Sequence, residues 1–321
     1  KANGKLNVQY QAQVHGNEPA GGEGALAMVK KLSGSYGDKV LQNLNVYVIP
    51  RLNPDGSQRN KRTVTATNMD MNRDYLLMKS VETKNAQYIA QIFEPTLMID
   101  SHEYNAGTDL STDLFGDVLI SPGFHTFNTD QFRETSIAMT QGVFDAMAEQ
   151  NLTYTYYSSD LNSKSAYIGR NYASSKGVLF FLLETRGIDY GSNVYGRRVV
   201  SHLVSATQLM DYAYENHQQL MDLVAQEQAH IVEMGTTYDT SNKIALSTTT
   251  SKHPEYNLSV TKFYTDTGKS FTSTVAVTIY DVLSRSRVAP TAYVIPAGEN
   301  WNDAILELMD PHGISYTKIP A

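Results

Sequence analysis

The chain has 321 residues, 41% of them hydrophobic and 18% charged, with a formal net charge of -7 at pH 7. That profile is that of a folded globular protein of one large domain, alone or with a small companion. The acidic balance argues against a nucleic-acid surface, no apolar run approaches the ~20 residues of a membrane span, and the absence of cysteine excludes disulfides and leaves His, Asp and Glu as metal ligands.

The sequence opens on Lys1 and shows no signal peptide, so it reads as a trimmed product whose targeting segment is lost from view. Its 21 tyrosines and abundant Ser, Thr and Asn suit a periplasmic or secreted protein.

In chain order, "LNVQYQAQV" (6–14) alternates like a strand, and "AGGEGALAMVKKLSG" (20–34) reads as a helix stopped by Gly34. A buried strand follows at 44–50, then a polar loop from Arg51 to Tyr75, a helix at 80–94 and a strand at 96–100. A loop containing Pro122 leads to a helix at 129–150. The tyrosine-rich stretch 151–177 has no period and is long for a loop; loops of that length are usually functional or disordered. "VLFFLLE" (178–184) has the apolar run of a central strand, and a long helical pattern spans 196–234. This alternation predicts an α/β fold, with a mixed, mostly parallel central sheet flanked by helices.

Beyond residue 238 the texture changes. Residues 241–280 are rich in Thr, Ser and Val, and 292–320 read as strand, helix, strand. The expected division is a main domain, 1–238, and a small β-rich α/β accessory region, 239–321. That region carries no catalytic signature, and its composition suits positioning or cell-wall contact.

Chemistry-bearing residues gather at the expected strand ends. In "VHGNEP" (14–19), Gly16 permits a turn that brings His15 and Glu18 to a common point, while Pro19 opens the helix and biases Glu18 to extended backbone. The plain alternative is an ordinary capped helix. "RLNPDG" (51–56) has the composition of a tight turn after a strand, "LMIDSHEY" (97–104) sets His102 past a strand end, and "FFLLETRG" (180–187) does the same for Glu184. In α/β sheets ligands collect outside the carboxyl ends of strands. An ionisable Glu184 after "VLFFLL" is costly to bury unless it is paired, for instance with Arg186, or working.

Taken in order, "HGNE", "NPDG", "DMNR", "SHEY" and "LLETR" resemble the zinc metallocarboxypeptidase family, the carboxypeptidase A-like peptidases, over residues 6–190. The resemblance implies one zinc per chain on His15, Glu18 and His102, and a peptide substrate with a free C-terminal carboxylate. Asp70 matches a carboxylate that orients the first zinc histidine, a turn-forming Asp being the plain alternative. Glu184 matches the general base and Arg62 the oxyanion-stabilising arginine, with Arg59 as its rival. Asn72 and Arg73 match the pair that grips the terminal carboxylate. Tyr167 is the favoured covering tyrosine over Tyr157 and Tyr172, and Arg170 is either in the specificity pocket or, by preference, on the surface. The family carries more chain before its first ligand than the 14 residues here, so an edge strand and helix are expected to be missing. His125, His202, His217, His230, His253 and His312 lack metal-type spacing and read as structural or solvated. The rival functions are a zinc amidohydrolase acting on N-acyl amino acids or cell-wall peptides, and a non-catalytic binding module.

Overall fold

The computed structural model describes residues 3–105, 116–157, 165–188, 192, 194–251, 257–263, 270–276, 280–299 and 302–319. His253 lies outside them, as does part of the tyrosine-rich stretch. From the N-terminus run β1 (Leu6–Ala12), α1 (Pro19–Leu32), α2 (Ser35–Val40), β2 (Leu44–Ile49) and α3 (Pro54–Gln58). A 3₁₀ turn (Met71–Arg73), α4 (Val81–Phe93), β3 (Leu97–Asn105), β4 (Val118–Pro122), α5 (Asp130–Glu149) and β5 (Tyr154–Tyr156) follow. Next come α6 (Gly169–Ser174), β6 (Leu179–Ile188), α7 (Tyr195–Glu215) and α8 (His217–Thr236). The chain continues through β7 (Lys243–Ser251), β8 (Asn257–Phe263), β9 (Ser270–Ala276), β10 (Tyr280–Val288) and α9 (Asn302–His312).

Six strands form one sheet in the order β2-β1-β3-β6-β4-β5. β1, β2, β3 and β6 are mutually parallel; β4 runs antiparallel to β6 and parallel to β5. From β1 the chain crosses to β2 on one side, then returns past β1 to β3 on the other. That reversal opens a crevice beyond the carboxyl ends of β1 and β3.

Strand alternation divides the side chains between two layers. Leu97 and Ile99 of β3, with Leu179, Phe181 and Leu183 of β6, join the main core under α1, α5, α7 and α8. Met98, Phe180 and Leu182 point the other way, against Ala173 of α6. Helix α1 lies close on its layer: a Cβ at Gly21 would stand 2.8 Å from the Ser101 carbonyl oxygen.

Several elements differ from expectation. The NPDG turn is a one-turn helix whose cap, Asn53, accepts from the Gly56 N–H at 2.9 Å. The long 196–234 pattern is two helices broken at Asn216, and the tyrosine-rich stretch holds β5 and α6. The last segment contains α9 but no strand in 292–299 or 313–319; Gly298, Gly313 and Pro311 punctuate it. The β7–β10 and β8–β9 pairs are separate antiparallel ribbons. His312 of α9 donates to the Leu76 carbonyl (2.9 Å) and accepts from the Tyr172 hydroxyl (2.7 Å).

The turn after β1 is tightly enclosed. A Cβ on Gly16 would lie 2.1 Å from the Gly56 carbonyl carbon and 2.2 Å from the Ser57 nitrogen, both backbone atoms. Gly16→Ala should therefore displace α3 and destabilise the protein by about 1–3 kcal/mol, read as a Tm several degrees lower; an unchanged Tm would refute this packing.

His202 on α7 is fully buried, with Nε2 3.0 Å from Thr185 Oγ1 and Nδ1 unpaired among the described residues. Burial, then the neighbouring His102 and Arg198, pull its pKa from 6.5 down to about 3. A folded-state value below the unfolded one means that its neutral form stabilises fully above pH 6.5. That contribution is lost as pH falls towards 3, at about 1.4 kcal/mol per pH unit. Urea titrations between pH 7 and 5 should show a stability slope shallower by about 1 kcal/mol per pH unit on average in His202→Asn than in wild type, because the full slope is reached only below the unfolded pKa. Equal slopes would contradict it.

Candidate metal centre

His15 leaves β1 on a turn closed by the Glu18 N–H donating to the His15 carbonyl at 3.2 Å. Glu18, just before Pro19, is kept out of the helical region but is not extended as expected (φ -116°, ψ 67°): the turn that brings its carboxylate to His15 holds ψ lower. His102 lies within β3, which runs on to Asn105 instead of ending before it, and Glu184 likewise lies within β6, which runs on to Ile188. The three side chains are buried, and their ligand atoms lie within 4.8 Å of one another. Glu18 Oε1 is 2.7 Å from His15 Nδ1, Glu18 Oε2 is 3.0 Å from His102 Nδ1, and the two Nδ1 atoms are 3.1 Å apart.

The outward nitrogens decide the chemistry. His15 Nε2 is 3.0 Å from Asp70 Oδ1, and His102 Nε2 is 3.0 Å from Asp100 Oδ2. Each aspartate accepts the Nε2–H, which holds the ring in the tautomer whose Nδ1 lone pair faces inward. Two lone pairs and a carboxylate then converge on one buried point. Only a positive charge reconciles them, so the donor set fits a divalent cation with nitrogen and oxygen ligands, as zinc takes.

The electrostatics agree. Burial alone would lower the His15 pKa, but Glu18 and Asp70 outweigh it and raise it. For His102, Asp100 and Glu18 do the same. Burial would raise Glu18, yet the flanking imidazoles hold its carboxyl well below the usual range.

Glu184 stands beside His102 in the β3–β6 register, on the same sheet face. It is buried and accepts no hydrogen bond from a described residue. Burial pushes its pKa up to about 7, against the pull of His102. The alternative partner, Arg186, is engaged elsewhere, 3.6 Å from Asp117.

Arg62, half-exposed, reaches the cluster: its Nε donates to Asp70 Oδ2 at 3.0 Å, and its Nη1 is 3.4 Å from Glu18 Oε1. The rival Arg59 is an exposed residue closing α3. Asn72 is buried; its N–H donates to Asp70 Oδ1 (2.8 Å) and its Oδ1 accepts from the Gly169 N–H (2.9 Å). Arg73 is exposed, with Nη1 on the Asn72 carbonyl (2.8 Å). Tyr167 is 40% exposed next to this loop, its carbonyl accepting from the Tyr75 N–H (3.2 Å). Tyr172 is buried against His312, and Tyr157 packs half-buried beside Phe180 and Leu182. Arg170 is not on the surface: it is 3% exposed, drawn in because α6 packs against β6.

Sequence reasoning missed Asp100. The signal was present, because Asp100 and His102 are two apart in a strand and so share a face. A cavity of about 490 Å³ lined by Gln11, Tyr75, Met98, Tyr172 and Lys176 includes none of the cluster residues.

Comparison with known proteins agrees with this geometry. The model of the zinc carboxypeptidase family matches residues 1–281. Probable carboxypeptidase 2 of Trichophyton verrucosum is 29% identical over 335 residues, covering 98% of this chain and 62% of the relative. Carboxypeptidase 2 of Trichophyton rubrum is 29% identical over 342 residues, with 98% and 60% covered. The chain thus spans about three fifths of the length of these curated relatives. Among solved structures, a metallo-carboxypeptidase from Burkholderia cenocepacia superposes with a TM-score of 0.52 at 18% identity, covering 67% of this chain and 58% of that one. A metallo-carboxypeptidase from Pseudomonas aeruginosa gives 0.50 at 14% identity, with 68% and 59% covered. At such identities the likeness establishes the fold alone, but the family match takes in every strand of the central sheet and every residue of the buried cluster: the chain belongs to the zinc carboxypeptidase family.

Proposed function

We propose that the protein is a zinc exopeptidase that releases amino acids from the free C-terminus of peptides, with one zinc per chain on His15, Glu18 and His102. The observation that carries this reading is the pair of histidines, each backed by an aspartate, turned on Glu18 beside a buried Glu184.

Zinc held there would supply a Lewis acid that acidifies a water and polarises a carbonyl. The protein's own groups do the rest. Glu184, buried beside His102 on the same sheet face, is poised to accept a proton from water and pass it to the departing amine. Arg62 keeps a guanidinium at the rim of the cluster, where negative charge develops on a carbonyl oxygen. Asn72 has its amide oxygen occupied by the Gly169 N–H, so its NH₂ remains to donate, and donors are what a carboxylate needs. Arg73 adds an exposed planar fork of the same polarity. The exposed ring of Tyr167, on the adjoining loop, is suited to cover the bound residue. Residues 239–321 are an accessory region in this reading, tied to the main domain through His312 of α9. The abundance of Tyr, Ser, Thr and Asn supports work outside the cytoplasm.

Incubating the full chain with a blocked peptide, its free-carboxyl twin and an N-acyl amino acid tests the activity. Residues should be released from the free-carboxyl twin alone. Cleavage of the N-acyl amino acid instead would move the protein to the amidohydrolases, and cleavage of nothing by the zinc-loaded chain would make it a binding module.

Glu184→Gln should retain one zinc by metal analysis while turnover falls about 10²- to 10⁴-fold; near-normal turnover would remove Glu184 as the base. Asp100→Ala should weaken zinc binding about 10- to 100-fold in chelator competition, and an unchanged affinity would make Asp100 a bystander.

A further inference from the structure

A buried ion pair lies behind the centre, on the opposite layer of the sheet. Glu103 follows His102 on β3, so alternation sends His102 to the cluster and Glu103 to the layer where α1 packs. Its Oε1 accepts from Arg198 Nε of α7 at 2.6 Å and also from Nη2. Its Oε2 accepts from the Ala20 N–H at 3.1 Å.

That last bond is unusual in its source. A helix leaves its first N–H groups without intrahelical partners, and the cap residue's own side chain normally takes one. In α1 the cap residue is Glu18, which makes no such bond because its carboxylate is turned to His15 and His102. Pro19 has no N–H, so Ala20 carries the first unpaired donor. Glu103 satisfies it from the neighbouring strand.

The surrounding backbone is shaped for the pair. A Cβ on Gly187 of β6 would lie 2.2 Å from Arg198 Nε and 2.2 Å from Glu103 Oε1, so any side chain there would occupy the pair's own space. Four elements meet at this point: α1, β3, β6 and α7. Three of them carry residues of the centre, namely Glu18, His102 and Glu184.

We infer that Glu103 and Arg198 are positioning residues of the metal centre: Glu103 caps α1 in place of Glu18, leaving the Glu18 carboxylate to the histidines, and Arg198 keeps Glu103 aimed. This rests on the metal-site reading above. Arg198 does not touch the centre; it acts through Glu103 and the first turn of α1.

The neighbouring residue supplies the control. Arg197, on the same helix, grips Asp117 at 2.6 and 2.7 Å, and Asp117 also accepts from Thr153. That pair joins α7 to the start of β4 and involves no element holding a proposed metal ligand.

The test compares wild type with Arg198→Met, Glu103→Gln/Arg198→Met and Arg197→Met, reading zinc affinity by chelator competition, the Tm of the metal-free protein, and kcat and KM. Arg198→Met leaves Glu103 buried without its counter-charge. It should weaken zinc binding about 10- to 100-fold and lower kcat more than KM. In the double variant, Glu103→Gln puts a neutral amide on β3 that still accepts the Ala20 N–H, so zinc affinity should recover most of that loss. Arg197→Met should lower the Tm and leave zinc affinity alone. If Arg198→Met and Arg197→Met lower the Tm alike and neither changes zinc affinity, the pair is merely structural and the inference is overturned. Should Arg198→Met fail to fold, Arg198→Lys keeps the charge without the fork; a weaker zinc affinity supports the inference and an unchanged one overturns it. A wild-type chain that takes up no zinc overturns the metal-site reading and this inference with it. Zinc-binding wild type beside an unaffected Arg198 variant overturns the inference alone.

Discussion

The buried convergence of His15 Nδ1, His102 Nδ1 and the Glu18 carboxylate is the constraint on which the rest of the molecule turns. Three groups with inward lone pairs within 4.8 Å repel one another unless positive charge sits among them. Such an arrangement survives only if its surroundings over-determine it. Asp70 and Asp100 do so for the rings by accepting the Nε2 protons. For Glu18, the turn at Gly16, the proline that follows and the commitment of α1's first free N–H to Glu103 serve the same end.

The topology explains why the ligands can come from such distant parts of the chain. Because the crossovers from β1 and β2 run in opposite directions, the loops leaving β1 and β3 diverge and leave a crevice between them. β6 lies beside β3 in parallel register, so His102 and Glu184 become neighbours on one face although 82 residues separate them. Alternation turns Glu103 to the reverse face, where Gly187 leaves room for its carboxylate. One strand pair thus serves the chemical layer with one set of residues and the supporting layer with the next.

Much of this was legible in the sequence because strand ends, prolines and glycines are local signals. The turn at His15, the apolar run before Glu184 and the alternation of strands and helices each follow from residues within a few positions of one another. What escaped depends on tertiary partners. Asn216 breaks a pattern whose apolar period reads as one helix. Arg170 looks like a surface residue until α6 folds onto β6. Glu103 reads as part of a motif, and its partners Ala20 and Arg198 stand 83 and 95 positions away. Asp100 is the intermediate case, since its two-residue spacing from His102 was readable but means something only once the strand runs past His102.

The charge arrangement around the cluster also bears on the order of events at such a site. Glu18, Asp70 and Asp100 make the point between the rings strongly negative, and Arg62 neutralises the rim by binding Asp70 and approaching Glu18. Deep in the site the field favours a cation; at the rim the guanidinium of Arg62 favours an anion. The proposed substrate, uncharged at its reacting carbonyl and negative at its end, would meet both preferences at once. Glu184 lies at the boundary, desolvated by the apolar end of β6 and within the field of the histidines. Those opposing influences leave its pKa near 7, where a carboxyl can both take up and release a proton. A cation brought into the cluster would add positive charge beside it and move that pKa downward, favouring the charged carboxylate.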